Sequence, residues 1–199
     1  MYNLKSQNGY SIHDFVGRPF SKRLCGVCGV VKRYLMNRIA FENGFDALAT
    51  GHNLDDTVEV LFNLYINGRI DEIVRLRPVV SSVNPRIVKK IKPLIEVTDE
   101  EDLYYLISKK IDYAYSECPL VKGSRMIKRK KLILKIEEEV PHFKYLLLKT
   151  HIKRFLPILE QYVHPPLLRN CERCGMPSVD LICSFCKLSS KIIRLVENN

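Results

Sequence analysis

Seven cysteines are the residues of this chain best suited to chemistry, and six of them come in C-x-x-C pairs. The last four, Cys171, Cys174, Cys183 and Cys186, stand in "CERCGMPSVDLICSFC", a C-x2-C-x8-C-x2-C pattern. Two knuckles across a short loop offer four thiolates to a tetrahedral Zn2+ ion. Gly175, directly after the first knuckle, lets the backbone turn so that amides face the sulfurs. A closed site of this kind leaves no position open for catalysis, so its expected role is structural or RNA-facing.

The first pair, Cys25 and Cys28, has no second knuckle nearby in "RLCGVCGVVKRYLMNR". Alone it reads as a redox dithiol, half a zinc site or two cluster ligands. Cys118, in "SECPL", is the one cysteine left. At the end of an expected strand it would point at the ligand crevice of a parallel sheet. Three thiolates with one open position suit an iron–sulfur cluster that receives a substrate atom. A buried, inert core cysteine is the competing reading of Cys118.

"TGHNLDD" places Gly51, His52, Asp55 and Asp56 in a strand-to-helix turn. A ligand phosphate and its Mg2+ would lie there, since the helix start favours anions and paired carboxylates hold Mg2+. The alternative for the aspartates is ordinary acid in the first helical turn. Further on, "KGSRMIKRKKLILK" (122–135) has seven basic residues and no acid. Lys128, Lys131 and Lys135 share one helical face, with Arg125 and Arg129 beside it and Lys130 in the same run. Such a stripe neutralises RNA phosphates, unless it is only a solvated face. A net charge of +10 favours the polyanionic partner.

These residues need elements to carry them. The pattern predicts a short strand at 2–4 and a helix from Val30 to Asn43 stopped by Gly44. Strands are expected at 45–50, 86–97 and 112–116, and a helix from Leu54 to Asn67 closed by Gly68. Thr98 and Glu101 form a capping box. Two long helices follow at about 123–140 and 142–161. The alternation predicts an α/β chain with a partial parallel sheet. The divisions are 1–122, an α/β domain, which the resemblance below implies is truncated; 123–164, a basic helical region; and 165–199, a zinc ribbon after the Pro165–Pro166 linker. No run approaches the roughly 20 apolar residues of a membrane helix, and no leader pattern opens the chain, so a cytoplasmic, membrane-free protein is expected.

In order, "CGVCGVVKRYLMN", "ATGHNLDD", "SECP" and the four C-terminal cysteines resemble the PP-loop ATPase family of tRNA 2-thiouridine synthetases. These include the TtuA-type and related cytosolic and archaeal tRNA thiolases. The match is to their C-terminal two-thirds. The resemblance implies an adenine nucleotide alpha hydrolase-like fold with a helical extension and a zinc ribbon. It implies adenylation of a tRNA uridine C2 oxygen by ATP, then replacement of that oxygen by sulfur from a ubiquitin-like carrier protein. It implies a 4Fe–4S cluster on Cys25, Cys28 and Cys118, catalytic roles for Lys32 and Asp56, and ATP with Mg2+ at Gly51, His52 and Asp55. It implies zinc on the four C-terminal cysteines and tRNA on the basic run. The family's SGGxDS ATP loop does not occur in this sequence. An exposed sheet edge, left by a missing first βα unit, predicts a homodimer. The competing expectation is a zinc-ribbon tRNA-binding fragment without catalysis.

Overall fold

The computed structural model describes residues 2–19, 24–114, 118–120 and 125–197. The chain opens with a helix, α1 (Leu4–Asn8), where the residue pattern predicts a strand. Local caps decide this: the Asn3 side chain accepts from Ser6 N–H, and Gly9, at φ 76°, donates to Lys5 O. Helix α2 (Leu24–Glu42) begins six residues before its expected start, so Cys25 and Cys28 lie inside it rather than ahead of it. Its end is as expected. Gly44 adopts φ 68°, with Phe45 N–H on Ala40 O at 2.9 Å and Gly44 N–H on Phe41 O at 3.1 Å, a Schellman closure.

Three short strands form the main sheet in the order β1-β3-β2: β1 (Ala47–Ala49), β2 (Val79–Val80) and β3 (Lys89–Ile91). β1 and β3 are parallel, with Leu48 beside Lys90. β2 is antiparallel to β3, with Val80 beside Lys90. The sheet is therefore mixed, not wholly parallel. The β2–β3 connection spans only 81–88, too short for the crossover of a dozen or more residues that parallel neighbours need. Residues 112–114 form no strand, and 115–117 lie outside the described residues.

Helix α3 (Leu54–Ile66) starts at Asn53, whose side chain accepts from Asp56 N–H, and Gly68 beyond its end has φ 61°. After α4 (Ile70–Ile73), α5 (Asp99–Ser108) begins with the expected Thr98–Glu101 capping box. The basic run forms α6 (Arg125–Glu139), and residues 122–124 of that run lie outside the described residues. The single helix expected at 142–161 is three pieces: α7 (Phe143–Thr150), a π-helical turn (His151–Phe155) and α8 (Leu156–Leu159). Pro157 accounts for the break, because its ring and missing N–H disrupt the bond to the Lys153 carbonyl one turn earlier.

Several buried apolar clusters organise the molecule. Leu54, Val58, Ile95, Ile133 and Leu148 join α3, α6 and α7. The C-terminal segment contains β4 (Arg169–Asn170), antiparallel to β5 (Pro177–Ser178), and then α9 (Ser184–Glu197). It packs back on α2, where Val31 meets Cys171, Cys183, Phe185 and Cys186. Val27 packs with Tyr10, Phe15 and Ile192 beside it. Each buried Val, Leu, Ile or Phe among them contributes about 1.5–3 kcal/mol. Among the described residues no helix is long and apolar enough to cross a membrane.

Candidate cysteine sites and basic surfaces

The four C-terminal cysteines converge. Their sulfurs all lie within 4.8 Å of one another, and no other group of three or more potential ligand side chains gathers so among the described residues. The knuckles are built by backbone: Gly175, at φ 70°, donates to Cys171 O at 2.8 Å, and Cys171 N–H returns to Met176 O at 2.9 Å. Two amides aim at sulfur, Cys183 N–H at Cys171 Sγ (3.3 Å) and Cys186 N–H at Cys183 Sγ (3.4 Å). Burial opposes the Cys171 thiolate, but the N–H groups of Cys183, Cys174 and Arg173 outweigh it and hold its pKa at about 6. Burial pushes the Cys183 and Cys186 thiols up. Four soft donors with inward amides fit a thiophilic metal ion, which would hold all four as thiolates.

This cluster rests on α2. The Tyr34 ring stacks on Phe185 at 3.8 Å between centroids and 4° between planes. Arg38 Nη1 donates to Tyr34 Oη at 3.2 Å. From the sheet side, Arg86 Nη1 donates to Gly175 O at 2.5 Å, and Asn37 Nδ2 holds Arg86 O at 3.0 Å.

Cys25 and Cys28 lie on the same helix, Cys25 turned away from the packed side and Cys28 at its border. At 3.6 residues per turn, Cys25, Cys28 and Lys32 fall within about 60° of one another around the axis. Val27 and Val31 occupy the buried side. Cys25 and Lys32 are exposed and Cys28 is half-buried. Cys118 is exposed, between segments 115–117 and 121–124 that lie outside the described residues. The structure thus brings Cys25, Cys28 and Lys32 onto one stripe and does not gather Cys118 with them.

The turn before α3 separates its four candidates. Gly51 and His52 are exposed, with His52 Nδ1 3.0 Å from Thr50 Oγ1. Asp55 is buried: Lys144 Nζ on α7 lies 2.8 Å away, and Asp99 N–H donates to its other oxygen at 2.9 Å. Asp56 is partly exposed and pairs with Lys130 Nζ at 2.7 Å. Lys130 also reaches Asp99 at 3.0 Å. Burial disfavours the Lys130 charge, yet Asp56 and Asp99 together raise its pKa.

The α6 cations divide the same way. Arg129 turns inward to the buried Glu59 at 2.5 Å, and Lys130 to Asp56 and Asp99. Arg125, Lys128, Lys131 and Lys135 are exposed. Lys144 escaped sequence reasoning. Its only signal is one cation inside the apolar run "HFKYLLLK" (142–149).

No protein-family model matches the chain. It is 34% identical over 184 residues to the tRNA-5-methyluridine(54) 2-sulfurtransferase of Pyrococcus horikoshii, covering 92% of this chain and 58% of that protein. The Thermus thermophilus protein of the same name is 32% identical over 192 residues, covering 96% and 59%. Among solved structures, the U34-tRNA thiolase NcsA of Methanococcus maripaludis, with its 4Fe–4S cluster, superposes with a TM-score of 0.68. It is 27% identical, over 90% of this chain and 58% of that one. The chain spans a little over half the length of these relatives. Over nine-tenths or more of its own length, the chain is thus similar to proteins named as tRNA 2-sulfurtransferases and to a tRNA thiolase.

Proposed function

We propose that this chain is the larger part of a cytoplasmic tRNA-uridine 2-sulfurtransferase with a PP-loop ATPase-like α/β domain and a C-terminal zinc ribbon. The observation that carries the reading is the α2 stripe, where exposed Cys25, half-buried Cys28 and exposed Lys32 share one sector of a helix that packs against the four-cysteine module. Thiol chemistry suits Cys25, Cys28 and Cys118 to a 4Fe–4S cluster, which when bound would present sulfur to the activated uridine. Lys32, one turn on from Cys28, sets a cation where charge develops at C2 and on the departing phosphate. Asp56 keeps one oxygen on Lys130 and offers the other to Mg2+, with Gly51 and His52 as the exposed rim for ATP. Asp55 serves this site indirectly, by fixing the first turn of α5 through Asp99 N–H. Zinc on Cys171, Cys174, Cys183 and Cys186 is structural. Arg125, Lys128, Lys131 and Lys135 offer the tRNA contacts, a ubiquitin-like carrier supplies the sulfur, and the active form is a homodimer.

The test is anaerobic reconstitution followed by reaction with an unmodified tRNA transcript, ATP, Mg2+ and sulfide. Mass spectrometry of the digested tRNA should detect a 2-thiouridine that Lys32→Ala reduces at least 100-fold, as expected for removing a preorganised charge. Equal product from wild type and Lys32→Ala would contradict the role of the α2 stripe. A second reading, a tRNA-binding fragment without catalysis, draws on the position of Cys118, apart from the other two cysteines. Tight tRNA binding with no thionucleoside would favour it.

A further inference from the structure

A second basic cluster lies on the sheet, away from α6. Lys90 in β3 and Lys92 just after it stand two residues apart, so both side chains leave the same face. The ladder extends to Lys92, whose N–H donates to Pro78 O at 2.9 Å. Around them stand Arg33 of α2 and Arg75 of the segment after α4, whose charges both act on Lys90. Lys92 Nζ leans on the Arg75 carbonyl at 3.4 Å. Arg77 also acts on Lys92, but it is neutralised by an ion pair with Glu160.

None of Arg33, Arg75, Lys90 and Lys92 has a carboxylate within ion-pair distance among the described residues. Contrast α6, where Arg129 and Lys130 each find one. Glu96 lines the same open cleft of about 450 Å3 as Lys92, with Pro78, Val79, Ile91 and Pro93, yet no ion pair joins them. Both lysines are half-buried, and burial lowers their pKa values, that of Lys92 to about 8 with Lys90 and Arg77 adding to the effect. Like charges held together out of water cost stability. A fold keeps such a group where an anion completes it.

The location suits a ligand. β3 runs parallel to β1, and Thr50 N–H donates to Ile91 O at 2.9 Å, so Lys90 and Lys92 flank the carboxyl end of β1 and the Gly51–His52 turn. Ligands of α/β sheets gather at that edge. We infer that Arg33, Arg75, Lys90 and Lys92 form a phosphate-binding site at the carboxyl edge of the sheet, serving either the backbone of a bound RNA or the phosphates of a nucleotide. The inference stands on charge and position and would survive failure of the thiolation reading.

Titration of an unmodified tRNA transcript and, separately, of inorganic pyrophosphate against wild type and the double variant Lys90→Gln/Lys92→Gln tests it. For tRNA, the expected result is about a tenfold weaker binding and a salt dependence shallower by about two, one for each lost phosphate contact. If the ligand is a nucleotide, pyrophosphate affinity falls instead and tRNA binding holds; a loss for either probe supports the site. Because the lysines oppose the fold rather than build it, the variant's melting temperature should equal or exceed that of wild type. Unchanged affinity for both probes would overturn the inference. So would a variant that melts at lower temperature, since that would make the lysines structural.

Discussion

At the residue scale, one buried ion pair ties α3 to α7 beside their shared apolar core. Asp55 and Lys144 are 89 positions apart in sequence, yet their side chains are 7% and 8% exposed and 2.8 Å apart. Removing one partner strands the other charge in the core. Lys144→Met should therefore destabilise the fold by about 3–5 kcal/mol, read by urea denaturation. Lys144→Met with Asp55→Leu should recover most of that loss, since two apolar residues leave no orphan charge. If the double variant is no more stable than the single, the Asp99 amide that Asp55 also accepts is the more important partner. This pairing was not legible in the sequence. Asp55 reads naturally as a Mg2+ ligand because it stands beside Asp56 at a helix start, and nothing local says that one turns inward and the other stays at the rim. The four C-terminal cysteines were legible, because their spacing alone brings four sulfurs within reach of one another.

At the element scale, α2 is the piece that links the two cysteine sites. Its Val31 and Tyr34 pack on the C-terminal module, and an adjoining, more exposed stripe carries Cys25, Cys28 and Lys32. A metal ion in the four-cysteine site would therefore hold α2 in place as well as its own loops. Cys183→Ser should lower the melting temperature by about 5 °C or more, and amide exchange should quicken along residues 24–35 as well as within 170–186. Faster exchange confined to 170–186 would mean that α2 stands without the module. The sequence shows where α2 ends, because Gly44 takes a left-handed φ that few other residues tolerate. Its beginning is less visible: Gly26 and Gly29 weaken the helical pattern around the cysteines, and packing of Val27 against Ile192 overrides them. The antiparallel β2 was missed for a similar reason, since two residues leave no period to read.

At the scale of the whole molecule, charge is sorted by partner. Arg129, Lys130 and Lys144 are matched to carboxylates inside the fold, whereas Arg125, Lys128, Lys131 and Lys135 face solvent on α6. Of these two sets, the second is free to meet RNA phosphates. Changing Lys128, Lys131 and Lys135 together to Glu should weaken tRNA binding by at least tenfold at about 0.1 M salt and leave the melting temperature within a few degrees. Unaltered affinity would remove α6 from the RNA interface. The charge run was legible as a run, but which cations it spends on the fold depends on the α3 acids that α6 packs against.

The proposed function requires Cys25 and Cys28 on α2 to share one iron site with Cys118 while the C-terminal cysteines hold zinc. Iron and zinc content per chain after anaerobic reconstitution, for wild type and Cys118→Ala, tests it most directly. The expected result is about four irons and one zinc per chain in wild type, with iron lost and zinc kept in the variant. Zinc alone in wild type, or iron unchanged by Cys118→Ala, would contradict it.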